Sequence, residues 1–350
     1  MYIQKNSFKR QHNNFDLLRL VAALLVLFSH MCGIHKINIE PLYLLTGGKY
    51  YLSSWGLIIF FITSGYLICR SVHHSTLKDY FLNRFLRISP ALFVCSLLTI
   101  LIPGIIFTTL PLGTFLAHPR TWYFLLQNTV PVRVVMSLPG VFNGSAINPS
   151  LWTIPLEIKL YVLLALCFLS GLLKRRLLFA ISWLLLIAVY VFFFHEIKQA
   201  LPVKNLHNTL QYGIYFLGGA IFYLYRDKIP VLFLVWLLLL VVWMIALLLA
   251  PSLLFITSIP FFIYTVIGIG TSSFRVPFPD IDISYGVYIY GFPVQASIEY
   301  GIGEKLGFLQ FSMIVLAITT LFATASWLLV EKKALSLKKH YRFSKSILAR

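Results

Sequence analysis

From Phe15 to Gly33 the chain reads FDLLRLVAALLVLFSHMCG. Such a stretch crosses the ~30 Å hydrocarbon core of a bilayer as a helix, because a helix satisfies its own backbone hydrogen bonds there. Two basic side chains interrupt the apolar run, Arg19 near its start and His30 eleven residues later. Eleven residues make roughly three helical turns, so both side chains share one face, ~16 Å apart along the axis. An ionisable group at membrane depth is costly. It faces a bundle interior or a wet cavity, and function is the default reading. What meets that face at each end then decides the chemistry.

Nine further apolar runs follow the first. The ten expected spans are approximately Leu17–Gly33, Leu52–Cys69, Ala91–Phe107, Leu151–Leu172, Leu177–Phe194, Thr209–Tyr225, Pro230–Leu249, Ser252–Gly270, Ile283–Tyr300 and Leu309–Val330. Pro251 and Pro260 make Ser252–Gly270 the weakest of the ten as a helix. A chain 59% hydrophobic and 11% charged, with a mean hydropathy of +0.84, is excluded as a water-soluble globular domain. The fold class expected is an all-α polytopic membrane protein of about ten transmembrane helices, a single transmembrane domain over residues 1–350. No cleavable signal peptide, internal repeat or low-complexity tract is expected.

The formal net charge is +18, which in a soluble chain would suggest nucleic acid. Here it reads as the Lys and Arg excess of cytoplasmic loops. With the N-terminus inside, twenty basic residues fall in inner segments and seven in outer ones. Both termini are therefore expected in the cytoplasm, with basic tails at 1–14 and 332–350. Membrane lipid is a partner on this reading and nucleic acid is not. Cys32, Cys69, Cys95 and Cys167 form no short-spaced pair. They read as small hydrophobes, with no metal site expected.

Two loops stand out. The inner loop RSVHHSTLKDYFLNRFLRISP, Arg70 to Pro90, is basic and partly amphipathic. The outer loop from Thr108 to Ser150 is long and rich in Pro, Gly and aromatics, a length that marks a functional or disordered segment. Its TWYF, Thr121 to Phe124, suits either stacking on a sugar or the headgroup level of the membrane.

Depth sorts the polar residues. His30 stands ~21 Å from the inner end of its span, and Glu157 ~9 Å below the outer end of the fourth. The two are expected at similar depth. There a carboxylate either sets the tautomer and basicity of an imidazole base or simply pins helix packing. Lys159, two residues from Glu157, points away from it, toward another partner or the interface. At the inner face Arg19 meets Arg84 and Arg87, which share a face if their segment is helical. Three guanidinium forks suit phosphate; anionic lipid is the alternative. Ser64 either lines a channel or packs beside Gly65. Trp152 reads as an interface anchor.

Five motifs in order resemble the integral-membrane acyltransferase 3 family, which includes bacterial O-antigen and other polysaccharide O-acetyltransferases. They are FDLLRLVAALLVLFSH through Arg19 and His30, and FFITSGYLI through Ser64 and Gly65. FLNRFLRISP follows through Arg84, Arg87 and Pro90, then PSLWTIPLEIKLY through Trp152 and Glu157, then ISYGVYIYGFPV through Ser284, Tyr285, Tyr288 and Pro293. The likeness covers about Asn14 to Glu331. One position departs: Gly291 stands where many members carry a His before Phe-Pro. The resemblance implies a membrane O-acyltransferase of the bacterial inner membrane. Acyl-CoA, typically acetyl-CoA, would be co-substrate rather than a permanently bound cofactor. The acceptor would be a sugar hydroxyl of a surface polysaccharide or lipid-linked sugar on the outer side. His30 would be general base or acyl-accepting nucleophile and Glu157 its orienting carboxylate. Arg19, Arg84 and Arg87, with Ser64 along the channel, would bind the donor. A flippase, transporter or polymerase of lipid-linked sugars is the alternative class, since it too carries intramembrane charges and aromatic outer loops.

Overall fold

The structure, a computed structural model, describes residues 13–35, 40–200, 205–272 and 281–337. Ten long helices dominate these residues: α1 Phe15–Ile34, α2 Leu52–His73, α3 Leu77–Phe107, α4 Thr153–Leu169, α5 Arg176–Ala200, α6 Leu206–Leu224, α7 Phe233–Leu249, α8 Leu254–Thr271, α9 Ser284–Ile302 and α10 Phe308–Leu337. Every expected span falls on one of them. Seven are long and apolar enough to cross a membrane, α1 to α5, α8 and α10, counting the short turns that lead into α4 and α8. The protein is thus a multi-pass, all-helical membrane protein. Of the basic residues that set its expected orientation, Lys5, Lys9, Arg10, Lys36, Lys204, Arg275, Lys338, Lys339, Arg342, Lys345 and Arg350 lie outside the described residues.

α1 and α2 pack against each other at the centre. α6 and α8 cover α2 on one side, and α9 with α10 extend from α1 on the other. Burial follows this plan: 61% of the apolar window of α2 is buried against 6% of that of α5, so α5 is the helix most given over to lipid. α2 and α6 cross at backbone contact. A Cβ placed on Gly65 would lie 1.8 Å from the carbonyl oxygen of Phe216. Gly65→Ala is therefore expected to lower stability by about 1–3 kcal/mol, read as the thermal midpoint of the purified protein in detergent. An unchanged midpoint would contradict so tight a crossing.

Three local features differ from expectation. α3 begins at Leu77, not Ala91, so Arg84 and Arg87 sit on a helix and not in a loop. Thr76 caps it, accepting a hydrogen bond from the Asp79 amide at 3.1 Å, and the helix continues through Pro90. α8, the weakest of the expected spans, keeps Pro260 inside a continuous helix. The long outer loop is ordered around its own small core, including Phe115, Phe124, Leu138 and Phe142. Its helix Pro119–Thr129 buries Thr121 and Phe124 and exposes Trp122 and Tyr123.

Candidate active site

One cavity of about 600 Å³ runs lengthwise between α1, α2, α3, α4, α9 and α10. Its lining on α2 extends from Ser71 to Leu57, fourteen residues or ~21 Å of helix. At one end it meets Asp16, Arg19, Arg84, Arg87 and Asp282; Ser64, Glu157 and Tyr161 line its middle; Leu57, Thr153 and Tyr288 line its far end. Five of the six expected site residues therefore surround one space. His30 is the sixth and stands just beyond.

The arginine end is not the free cationic cluster that three guanidinium groups suggest. Arg87 Nη2 donates to Asp282 Oδ2 at 2.6 Å, and its Nη1 lies 3.6 Å from Glu331 Oε2. Arg19 Nη1 lies 3.7 Å from Asp16 and 4.0 Å from Asp282. Arg84 sits over the face of Tyr161, 5.9 Å from the ring centre, and its Nε is buried without a hydrogen-bond partner. Three arginines and three carboxylates (Asp16, Glu157 and Asp282) thus face the cavity. Of its arginines, Arg84 is the one with no ion pair to a carboxylate among the described residues. Asp282 and Glu331 were not singled out from sequence. The signal was available: a chain with 11 acidic residues against 29 basic ones does not leave a carboxylate beside an apolar run unpaired.

Midway, Glu157 Oε1 accepts from Ser64 Oγ at 3.1 Å and from the Tyr161 hydroxyl. Ser64 is thus a lining residue, while the close packing falls to its neighbour Gly65. Lys159 is exposed on the opposite side of α4 from Glu157. Trp152 is half-buried with its ring 6.1 Å from Tyr212, so it packs against α6.

The expected pair between His30 and Glu157 is not formed. His30 Nδ1 lies 3.5 Å from Ser150 Oγ, and its ring meets Phe292 edge-on at 5.3 Å. Ser150 precedes Glu157 by seven residues, which puts the carboxylate ~10 Å further along α4. Counting depth along each span separately does not register this offset, which is set by how α1 and α4 lie against each other and puts His30 level with Ser150. What joins His30 to the cavity is instead a short polar link. The Tyr288 hydroxyl donates to Ser150 O at 2.8 Å and lies 2.6 Å from Thr153 Oγ1. Gly291 allows α9 to approach α1: a Cβ there would come within 2.6 Å of Leu27 Cδ1. Gln295 Nε2 reinforces the contact by donating to Leu27 O at 2.9 Å.

A half-buried imidazole, a polar relay and a long cavity with cationic groups at its other mouth suit group transfer along the bundle. The sequence model of the acyltransferase domain, acyltransferase 3 type, matches residues 12–331. The chain belongs to the acyltransferase 3 family. It is 30% identical to the O-acetyl transferase of Shigella phage Sf6, over 93% of this chain and 96% of that protein. It is 32% identical to nodulation protein 10 of Rhizobium leguminosarum bv. viciae over 43% of each chain. No solved structure gives a significant match. The protein is a membrane acyltransferase, and its cavity and His30 form the candidate site for that chemistry.

Proposed function

We propose that this acyltransferase moves an acetyl group from cytoplasmic acetyl-CoA to a sugar hydroxyl of a cell-surface polysaccharide or lipid-linked sugar on the outer side of the bacterial inner membrane. The observation that carries the reading is the cavity itself. It joins a mouth lined by arginines to the residue layer that touches His30. The basic excess on the inner side supports a cytoplasmic arginine mouth. α6, α7 and α9, added to the seven long apolar helices, support ten spans in one transmembrane domain with both termini inside.

Arg84, with Arg19, binds the phosphates of the donor, since its guanidinium lines the cavity with no carboxylate paired to it. Arg87, fixed by Asp282 and Glu331, shapes the mouth and adds to its field. Ser64 and Glu157 line the path of the pantetheine arm. His30 accepts the proton of the sugar hydroxyl; the sugar oxygen bonds to the thioester carbonyl carbon; the carbon–sulfur bond breaks and the CoA thiolate leaves. Glu157 acts from within the cavity, through Ser64 and Tyr161. The acetyl group and the sugar acceptor are supported by the likeness to the phage O-acetyl transferase. Mass spectrometry of surface glycan from cells with and without the gene tests the reading. A mass difference of one acetyl group is expected, and identical glycan masses would contradict it.

A further inference from the structure

Two stretches of chain lead from His30 to one exposed ring. On α9, Phe292 meets His30 edge-on, and Ala296 and Tyr300 follow at four-residue steps. The three form one stripe on the helix, ~12 Å long. In the long loop, Ser150 touches His30, Asn148 Nδ2 donates to Ile289 O of α9 at 2.9 Å, and the Phe142 ring centre lies 4.4 Å from that of Tyr300. Ala296 belongs to the small core of the loop, and Phe292 packs against it. Loop and helix are thus joined along the stripe, with His30 at one end and Tyr300 at the other.

Tyr300 is braced on one side and open on the other. Phe142 lies against it at an interplanar angle of 33°, and Phe107 stands edge-on at 6.4 Å. Phe142 is buried, while 49% of the Tyr300 surface stays exposed. The backbone is strained at this brace. Phe142 has a φ of +48° and Asn143 one of +52°, a region that bulky side chains rarely enter. Strain of this kind persists only where the surroundings impose it, and it gathers at ligand clamps. Trp122 and Tyr123, the exposed aromatics of the loop, differ: they share a helix face with exposed Leu126, an apolar face that suits lipid.

We infer that Tyr300 is a subsite for the acceptor: one sugar unit of the glycan stacks on its open side while the hydroxyl to be acetylated, on another unit of the same chain, lies at His30. This rests on the acetyl-to-sugar reading above. A pyranose presents a face of C–H bonds that packs on an aromatic ring and a rim of hydroxyls that stays in water, which suits a ring half open to solvent. Exposed Asn143, next to Phe142 in the chain, offers an amide to those hydroxyls. The ~12 Å stripe is the reach of a short oligosaccharide and not of a single sugar. Tyr300 does not line the donor cavity, so it positions the acceptor and leaves the donor alone.

The test measures transfer of labelled acetyl from acetyl-CoA by the purified full chain to glycan extracted from cells lacking the gene, in two arms, lipid-linked glycan and released polysaccharide. In whichever arm the wild type labels, Tyr300→Ala is expected to raise KM for glycan about tenfold, with kcat and KM for acetyl-CoA unchanged. Tyr300→Trp keeps a ring and is expected to stay near the wild type. Trp122→Ala is expected to leave KM for glycan as it was. Should Tyr300→Ala fail to give a monodisperse protein, Tyr300→Leu takes its place with the same expected direction. An unmoved KM for glycan, an equal rise in Trp122→Ala, or a loss that falls on kcat or on acetyl-CoA would overturn the subsite. A wild type that labels glycan in neither arm would instead overturn the acetyl-to-sugar reading on which the subsite rests.

Discussion

His30→Ala is expected to lower acyl transfer by about 10²–10⁴-fold while leaving affinity for acetyl-CoA at its wild-type value. The split follows from position. The ring lies outside the cavity, against Ser150 and Phe292, so its removal takes away a proton acceptor and leaves the donor's walls intact. The substitution vacates a half-buried site with one long polar contact, so the fold is expected to survive. Acetylation of surface glycan in cells lacking the native copy gives the first readout, and calorimetry on the purified variant gives the second. Unchanged acetylation would remove His30 from the chemistry. Lost donor affinity would make it part of the binding wall.

The second large effect separates two arginines that sequence treats alike. Arg87→Ala is expected to destabilise the protein by about 3–5 kcal/mol, because it leaves Glu331 buried without its cation and Asp282 with only the longer contact to Arg19. Arg87 retains some exposure, with 19% of its side-chain surface accessible, which favours the lower end of that range. The double variant Arg87→Ala with Asp282→Asn is expected to recover part of the loss, since it removes the stranded charge along with its partner. Arg84→Ala removes a guanidinium with a buried, unsatisfied Nε. It is expected to weaken acetyl-CoA binding with little change in thermal midpoint. The reverse pattern, with Arg84 stabilising and Arg87 binding, would contradict the assignment of roles.

Much of this was legible in the chain because it depends on local periodicity. The run around Arg19 and His30 specifies a helix and fixes which of its residues share a face. Arg84 and Arg87, three apart, needed only a helical segment to meet the same space. Longer-range contacts were not legible. Arg87 reaches Asp282 across 195 positions and Ser150 reaches His30 across 120, and such pairings are set by how helices pack, not by the spacing within one of them. The depth count that put His30 level with Glu157 failed for the same reason: it fixed each residue along its own helix but not the offset between helices. The polar start of α3 read as a loop because Lys78, Asp79, Asn83 and the arginines mask a helix that begins well before its apolar part.

The central claim is that acetyl enters at the arginine mouth and leaves at the histidine end. Inside-out membrane vesicles expose only the cytoplasmic face to the medium, so labelled acetyl-CoA added outside them tests this most directly. Label is expected on glycan enclosed within the vesicles, and it is expected to vanish with either Arg84→Ala or His30→Ala. Label confined to acceptors on the exposed face, or enclosed label that persists in both variants, would contradict a path through this cavity.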